Sequence, residues 1–506
     1  MAWNVLASWV GHFVFVVAGF ILPRAIDSQI GQAGLGVWDF GWSLVNYLTL
    51  TQVGVGSSVS PSVARARAQG DAVALNRAVS SVLVVQLVIA AITAAITVVL
   101  ALYVPVWFRH RLGGFTADVG WLVLFLGLSL AAQQAGDTFA GVTKGCHRWD
   151  LHNGLNAGTY AVTVAVMLVA LSSGGGLLQI ALIHFAVGVV GEVFRIRVAY
   201  VVCPELSLSG KQVFWSEAWG MLRFGGKTLL MVLSNLLLHQ TVNVLIVAHL
   251  GTTALAVYAR PMALLRHVAT LVGKYGYVLT PTVSSLEATG KRAELKALFL
   301  ESGRNSTFLS LPAVVFLAVM GGPLLHAWMG PEYAAGTLVA ILALGMLVPL
   351  SQTSVWHILV GVDSHGRPAA ATLASAIAGS AAIWFGLAYF DAGLNESAVV
   401  LGLASTLTSG GYLTWRACRR LDVPVGSYLV ATWRQPVLST MPFLVVLGLV
   451  RFLFEGSPLA ALVVGTCCGG PIVACAWWRH LLPGSVKRQL LCRAGRVWGR
   501  FGRNVA

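Results

Sequence analysis

The sequence predicts an all-α integral membrane protein with about fourteen transmembrane helices. These form two six-helix lobes in a parallel repeat, followed by an extra C-terminal pair. The prediction depends on composition, on the number of apolar stretches and on an internal repeat. Of the 506 residues, 57% are hydrophobic and only 10% are charged, whereas about 25% of the residues of a soluble protein are charged. With a mean hydropathy of +0.79, this composition excludes a soluble enzyme, a disordered chain and a fibrous repeat.

Apolar stretches of about 20 residues, the length that crosses a bilayer, recur along the whole chain. The first stretch has neither the basic start nor the small-residue cleavage site of a signal peptide, so we expect a retained span. The predicted spans lie near 3–22, 35–57, 79–104, 117–140, 154–172, 177–199, 219–248, 254–279, 298–320, 335–356, 368–390, 397–416, 435–452 and 459–479.

The 33 basic and 18 acidic residues give a net charge of +15. If the spans alternate in direction, most cations fall on one side of the membrane, and only Arg24, Arg109, Arg111 and Arg451 on the other. The positive-inside rule makes the cation-rich side cytoplasmic, with both termini inside. We therefore interpret the basic tail as an anchor for lipid headgroups rather than as a nucleic-acid site.

The two halves of the chain repeat at a fixed spacing of about 220 residues. Gly31 matches Gly251, Ser60-Pro61 matches Thr280-Pro281, and Gly141-Val142 matches Gly361-Val362. Because the unit contains six spans, both copies have the same orientation in the membrane, as in transporters built from parallel repeats. The predicted divisions are an N-lobe over 1–200, a C-lobe over 201–417, an extra pair over 418–480 and a cytoplasmic tail over 481–506.

Cations inside the predicted spans form the most informative group, because a buried charge in a membrane usually faces a cavity. Arg260, His267 and Lys274 are seven residues apart, so they share one helix face, and Arg266 lies near the middle of the span. Snorkelling to the interface is the alternative for cations near span ends. The predicted substrate-binding cations are Arg260, Arg266, Lys274, Lys227, Arg223 and Arg24, with His267 beside them.

Three acids in the spans, Asp39, Asp137 and Glu192, are candidates for coupling transport to H⁺ or Na⁺. The alternative is a structural ion pair for each, and Arg24 could pair with Asp39. No nucleophile, phosphate-loop or metal motif is present, and the seven cysteines contain no CxxC pair. We therefore expect no catalytic residues, no bound metal and no cofactor beyond a possible coupling ion.

Several segments resemble the polysaccharide transporter (Wzx-type) flippases of the MATE-like MOP superfamily. Pro23, Gly31, Gly36 and Trp38 occupy the places of the family's pattern after the first span. Gln52–Val59 is similar to the end of its second span, although the usual acidic stretch is missing. Ala68–Leu75 resembles its first cytoplasmic loop, and Ala327–Tyr333 its loop between the ninth and tenth spans. The resemblance covers roughly residues 1–420.

The resemblance implies a MATE- and MurJ-like V-shaped fold in the bacterial inner (cytoplasmic) membrane. It also implies a substrate, a polyprenyl-diphosphate-linked oligosaccharide for O-antigen or exopolysaccharide assembly, that is flipped to the periplasmic leaflet. A polymerase and a chain-length regulator of the same pathway are the implied partners. The alternatives are an ion-coupled small-molecule exporter, a peptidoglycan-precursor flippase and a membrane-embedded polysaccharide polymerase or ligase.

Overall fold

The computed structural model describes residues 2–52, 56–209, 230, 232–481 and 487. These residues are helical almost throughout, which confirms the predicted fold class. The principal helices are α1 (Ala2–Ile30), α2 (Gln32–Tyr47), α3 (Gly56–Gln69), α4 (Ala72–Trp107), α5 (Thr116–Gly145), α6 (Trp149–Ser172), α7 (Leu177–Val202), α8 (Val232–Leu250), α9 (Thr252–Ala288), α10 (Arg292–Met329), α11 (Gly336–Ser351), α12 (Thr353–Gly361), α13 (Gly366–Tyr389), α14 (Leu394–Ser405), α15 (Leu413–Leu421), α16 (Val425–Leu453) and α17 (Pro458–His480).

Eleven helices in the described part of the chain are long and apolar enough to cross a membrane. The other predicted spans, near 35–57, 254–279 and 397–416, are also largely helical and correspond to α2, to α9 and to α14–α15 with the π-helical turn between them. The helix α2 has 16 residues, and α14 and α15 have 12 and 9, so each is shorter than the stretch that crosses a bilayer. The long helix α9 carries several charged residues. The span near 219–248 is described only from residue 230.

The first helix is longer than predicted. We expect a span over 3–22, but α1 continues through Pro23 to Ile30. It ends at Gly31, whose φ of 87° is open to glycine but costly for other residues. Arg24 therefore lies within the helix and not in a loop after it.

The repeat is visible in the backbone of both halves. Gly31 and Gly251 have φ values of 87° and 91°, and Gly70 and Gly290 have values of 69° and 67°. These pairs confirm the spacing of 220 at the first two helix junctions. Each glycine ends one helix in a left-handed residue and so fixes where the next helix begins.

The third match of the repeat is wrong by one helical turn. Gly361 packs against Val283 and the carbonyl oxygen of Thr280. In the first half it is Gly145, not Gly141, that packs in this way, against Val63 and the carbonyl of Ser60. The true spacing is therefore four residues shorter here, a shift that keeps the same helix face and leaves a similar sequence pattern.

The described chain divides into two compact units. The first comprises the described residues of 1–260 and 369–400, and the second those of 261–368 and 401–506. This division differs from the predicted lobes, because it places α8 and α13 with the first half of the chain. The lobe boundaries at 200 and 417 remain a prediction.

Each unit has a core of its own. In the first unit a cluster of buried side chains, including Val63, Leu75 and Val142, joins α3, α4 and α5. In the second unit the equivalent cluster contains Val283 and Leu295. A further cluster packs α10 against α16 and α17, so the last two helices belong to the core of the second unit.

Candidate functional site

A polar face runs along the part of α9 that lies in the second unit. The side chains of Arg266, Thr270 and Lys274 are exposed, whereas Leu265 and Val272 on other faces are buried. Residues four apart lie above one another on a helix, so these three share one face. At a rise of 1.5 Å per residue, Arg266 and Lys274 are about 12 Å apart along the helix axis.

This exposed face differs from the predicted line of Arg260, His267 and Lys274. Arg260 as a whole residue is only 3% exposed, and His267 is partly buried. The spacing of seven does place the three residues on similar sides of the helix, but the surroundings of the helix change along its length. The accessible cations of the described part of α9 are therefore Arg266 and Lys274.

Arg260 forms an ion pair within the first unit. Its guanidinium donates to the carboxylate of Asp39 on α2, and the two side chains are 4% and 18% exposed. Burying two charges is tolerated when they neutralise each other. Asp39 thus forms a structural ion pair, which is the predicted alternative to a role in ion coupling. Its partner is Arg260.

Polar contacts also hold α8 to α2 in the first unit. The amide of Asn243 donates to the hydroxyl of Ser43 at 2.9 Å, and the hydroxyls of Tyr47 and Thr241 are hydrogen-bonded. Hydrogen bonds between membrane helices favour a fixed pairing because lipid offers no alternative partner. These contacts explain why α8 belongs to this unit.

The acids Asp137 and Glu192 share one buried guanidinium. Arg195 on α7 lies 3.0 Å from the carboxylate of Glu192 and 3.9 Å from that of Asp137. It also donates to the amide oxygen of Asn156 at 3.0 Å. Two carboxylates thus converge on one cation between α5 and α7, two helices that are long and apolar enough to cross a membrane.

A glycine makes room for this acid cluster. A Cβ atom at Gly136, on α5, would collide with the carboxylate of Glu192 on α7. Glycine lets the carboxylate lie against the backbone of the neighbouring helix. The cluster therefore depends on three helices, α5, α6 and α7.

Arg195 is a candidate site residue that the sequence analysis does not predict. The charge pattern places it with the cations of the cytoplasmic side, but it is only 8% exposed inside α7. The available signal is its spacing of three from Glu192, which makes the two residues neighbours on a helix.

The other predicted site residues lie apart from these groups or outside the described residues. Arg24 is exposed on α1. Arg223 and Lys227 fall in the part of the chain that the structure does not describe. In the described part, no three His, Cys, Asp or Glu residues are placed to hold a metal ion.

The comparisons with solved structures concern the fold. The chain is similar to "Lipid II flippase MurJ, inward closed conformation", with a TM-score of 0.69, 12% identity, and 96% of this chain and 100% of that chain covered. It is also similar to an inward-facing multidrug resistance MATE family transporter of the MOP superfamily, with a TM-score of 0.63, 15% identity, and coverage of 80% and 94%. A MOP superfamily transporter from Pyrococcus furiosus follows at 0.60 and 12% identity, with coverage of 83% and 95%.

No curated protein matches the chain. A family model described as polysaccharide biosynthesis protein matches residues 49–337. This range covers more than half of the chain and includes α9, the acid cluster and most of the first unit. With the fold of MOP-superfamily transporters and flippases, the chain belongs to the polysaccharide biosynthesis protein family.

Proposed function

We propose that the protein is a flippase that moves a polyprenyl-diphosphate-linked oligosaccharide from the cytoplasmic to the periplasmic leaflet by alternating access. The observation that carries the proposal is the exposed basic face of α9, with Arg266, Thr270 and Lys274. Cations that face lipid are costly, so we expect this face to border a water-filled cavity. A diphosphate that crosses a low-dielectric region needs such compensating charges, and arginine can bind it through two parallel hydrogen bonds.

In this proposal Arg266 and Lys274 bind the diphosphate or an acidic sugar. Arg260 acts through Asp39 by fixing the start of α9 against α2, so it is a positioning residue. Arg24, His267, Arg223 and Lys227 remain predicted contributors. The family match to polysaccharide biosynthesis supports the class of cargo.

The proposal further places the protein in the inner membrane of a bacterium, with both termini in the cytoplasm. The substrate is a repeat unit of an O-antigen or exopolysaccharide. A polymerase and a chain-length regulator of the same pathway would then act on the translocated product.

The test compares cells that produce Arg266→Ala or Lys274→Ala at normal protein levels with wild type. We expect lipid-linked oligosaccharide to accumulate on the inner leaflet and surface polymer to fall about tenfold or more, the loss expected for one charge-assisted hydrogen bond. Arg266→Lys should retain part of the export. Arg109→Ala, which removes an exposed cation next to α4, serves as the matched control. Full export by both alanine variants would contradict the proposal, and accumulation on the outer leaflet would indicate a polymerase or ligase.

We also propose that the cluster of Asp137, Glu192 and Arg195 couples transport to H⁺ or Na⁺. The carboxylates of Asp137 and Glu192 both lie beside the guanidinium of Arg195, and two acids held close together bind a proton or a metal cation more readily than a single acid does. Flipping by Glu192→Gln in proteoliposomes should lose its response to an imposed H⁺ or Na⁺ gradient. Arg148→Gln, at an exposed ion pair with Asp150, is the control. An unchanged response would mean that the cluster is structural.

A peptidoglycan-precursor flippase is the second candidate, because the likeness to the lipid II flippase extends over 96% of this chain. Rescue of a strain depleted of its own lipid II flippase would favour it. Failure of rescue, together with loss of surface polymer on deletion, would favour the oligosaccharide substrate.

A further inference from the structure

The second unit contains an open groove between the start of α10 and the end of α15. Its volume is about 240 Å³, and its walls carry three cations and two acids. We call it the basic groove, and it is lined by Glu287, Arg292, Ala293, Leu295, Lys296, Arg420, Leu421 and Asp422. None of these residues belongs to the predicted substrate site.

Two of the cations already have partners inside the groove. Arg420 donates to the carboxylate of Glu287, and Lys296 donates to the main-chain oxygen of Asp422 at 3.0 Å. The carboxylate of Asp422 is 98% exposed, so water screens its attraction for Lys296. Arg292 is exposed and forms no ion pair with any residue that the structure describes. The groove therefore keeps an excess of positive charge.

The internal repeat identifies the residues of the first unit that are equivalent to those of the basic groove. Asn76 is the equivalent of Lys296 at the spacing of 220. It donates to the main-chain oxygen of Glu205 at 2.9 Å, just as Lys296 donates to that of Asp422. The two grooves are thus built in the same way at the end of the equivalent helix.

In the first unit the chain itself fills the groove. After α7, the amide of Ser207 donates to the side chain of Asn76 at 2.7 Å, and Leu206 is only 5% exposed within the core cluster. In the second unit the chain turns at Asp422, where φ is 55°, and α16 begins at Val425. No equivalent segment covers the basic groove among the described residues, and Ala72 and Asn76 are replaced by Arg292 and Lys296.

We propose that the basic groove binds a phosphate group, in a phospholipid headgroup or in a soluble phosphate compound. Arginine and lysine on one helix turn, facing an arginine on another, supply several charge-assisted donors for phosphate oxygens. The charge pattern places these helix ends on the cytoplasmic side. The tail over 481–506 is an unsuitable occupant, because it contains basic residues and no acids. The proposal is independent of the transported substrate.

The test uses delipidated full-length protein in a neutral detergent. Binding is measured by native mass spectrometry and by the shift of the thermal unfolding midpoint. The probes are phosphatidylglycerol, phosphatidylcholine and inorganic pyrophosphate. Stabilisation by either lipid alone identifies a headgroup site, whereas stabilisation by pyrophosphate identifies a site that also accepts soluble phosphate.

Arg292→Gln combined with Lys296→Gln should lower the affinity for the bound probe about tenfold or more, which is the effect of one lost charge-assisted hydrogen bond. Arg292→Gln alone should weaken it in the same direction with the fold intact, since this side chain makes no ion pair with the described residues. Lys291→Gln is the control, because Lys291 pairs with Glu294 at 2.9 Å outside the groove. Equal binding by wild type and Arg292→Gln, or binding of no probe by wild type, would overturn the proposal.

Discussion

The guanidinium of Arg260 donates to the carboxylate of Asp39, which is 221 residues away in the sequence and lies in the same unit. The pair fixes the first turns of α9 against α2. It divides the basic residues on α9 into two groups: Arg260 pairs with an acid of the first unit, whereas Arg266 and Lys274 are exposed and are the ones proposed to bind the cargo. The repeat agrees, since Phe40, at the position of Arg260 in the first half, is fully buried.

Arg260→Met should destabilise the protein by about 1–3 kcal/mol, because it removes the guanidinium that is paired with the partly buried carboxylate of Asp39. Combining Arg260→Met with Asp39→Leu should cost much less than the sum of the two single changes. Thermal unfolding of the purified variants in detergent measures both effects. Additive losses would show that the two side chains do not depend on each other.

Gly36 on α2 marks a place where two backbones meet. A Cβ atom at this position would overlap the carbonyl oxygen of Thr252, at the start of α9. We expect Gly36→Ala to lower stability by about 1–3 kcal/mol, since a backbone carbonyl cannot move aside as a side chain can. The unfolding midpoint of the variant in detergent checks this.

Gly154→Ala is the control for Gly36→Ala. Gly154 is also helical, but no atom lies within 4 Å of the added Cβ. This variant should be neutral or slightly more stable, because alanine favours the helix. If both variants unfold at the same temperature as wild type, the close approach of α2 and α9 is not rigid.

Gln352 is the centre of a buried polar network in the second unit. Its side-chain oxygen accepts from the hydroxyl of Tyr428 at 2.6 Å and from that of Thr414 at 3.2 Å. The network joins α15 and α16 at the break between α11 and α12. Tyr428→Phe should cost about 1 kcal/mol, the usual value for one hydrogen bond. Tyr389→Phe, which changes a side chain that is 65% exposed, should leave the unfolding midpoint unchanged.

The all-helical membrane fold and the match of Gly31 with Gly251 could be predicted because their causes are local. Hydropathy follows from the residues of one segment, and Gly31 and Gly251 are required by a positive φ at each position. The choice of partners depends on tertiary packing. Nothing near Asp39 in the sequence indicates Arg260, and a charge count assigns Arg195 to a loop although the residue lies inside α7.

The wrong match of Gly361 with Gly141 instead of Gly145 has a similar cause. A shift of four residues keeps the same face of a helix towards its neighbour, so the sequence offers two plausible registers. The packing of Gly145 on Val63 and of Gly361 on Val283 decides between them. The exposed face of α9 likewise depends on which of its other faces pack against neighbouring helices, and the sequence of α9 alone does not contain that information.

Cys203 provides a pH-dependent test of the structure just beyond the end of α7. Its thiol is buried and lies 3.5 Å from the carboxylate of Glu205. Burial, reinforced by the thiol of Cys146 and the carboxylate of Glu205, raises the pKa of the Cys203 thiol to about 12, compared with about 8.5 in an unfolded chain. The folded protein therefore holds a neutral thiol throughout the range in which an unfolded thiol ionises. This contribution to stability is complete below pH 8.5 and is lost progressively as the pH rises towards 12.

A variant with Cys203 as its only cysteine should react slowly with a maleimide between pH 7 and pH 9. Since the thiolate is the reacting species, the rate should show no inflection near pH 8.5. A cysteine at Ser173, an exposed loop residue, should react fast and show that inflection. Denaturing the protein should make the two cysteines equivalent. Rapid labelling of Cys203 in the folded protein would mean that the segment over 203–209 opens readily and does not seal the groove beside Asn76.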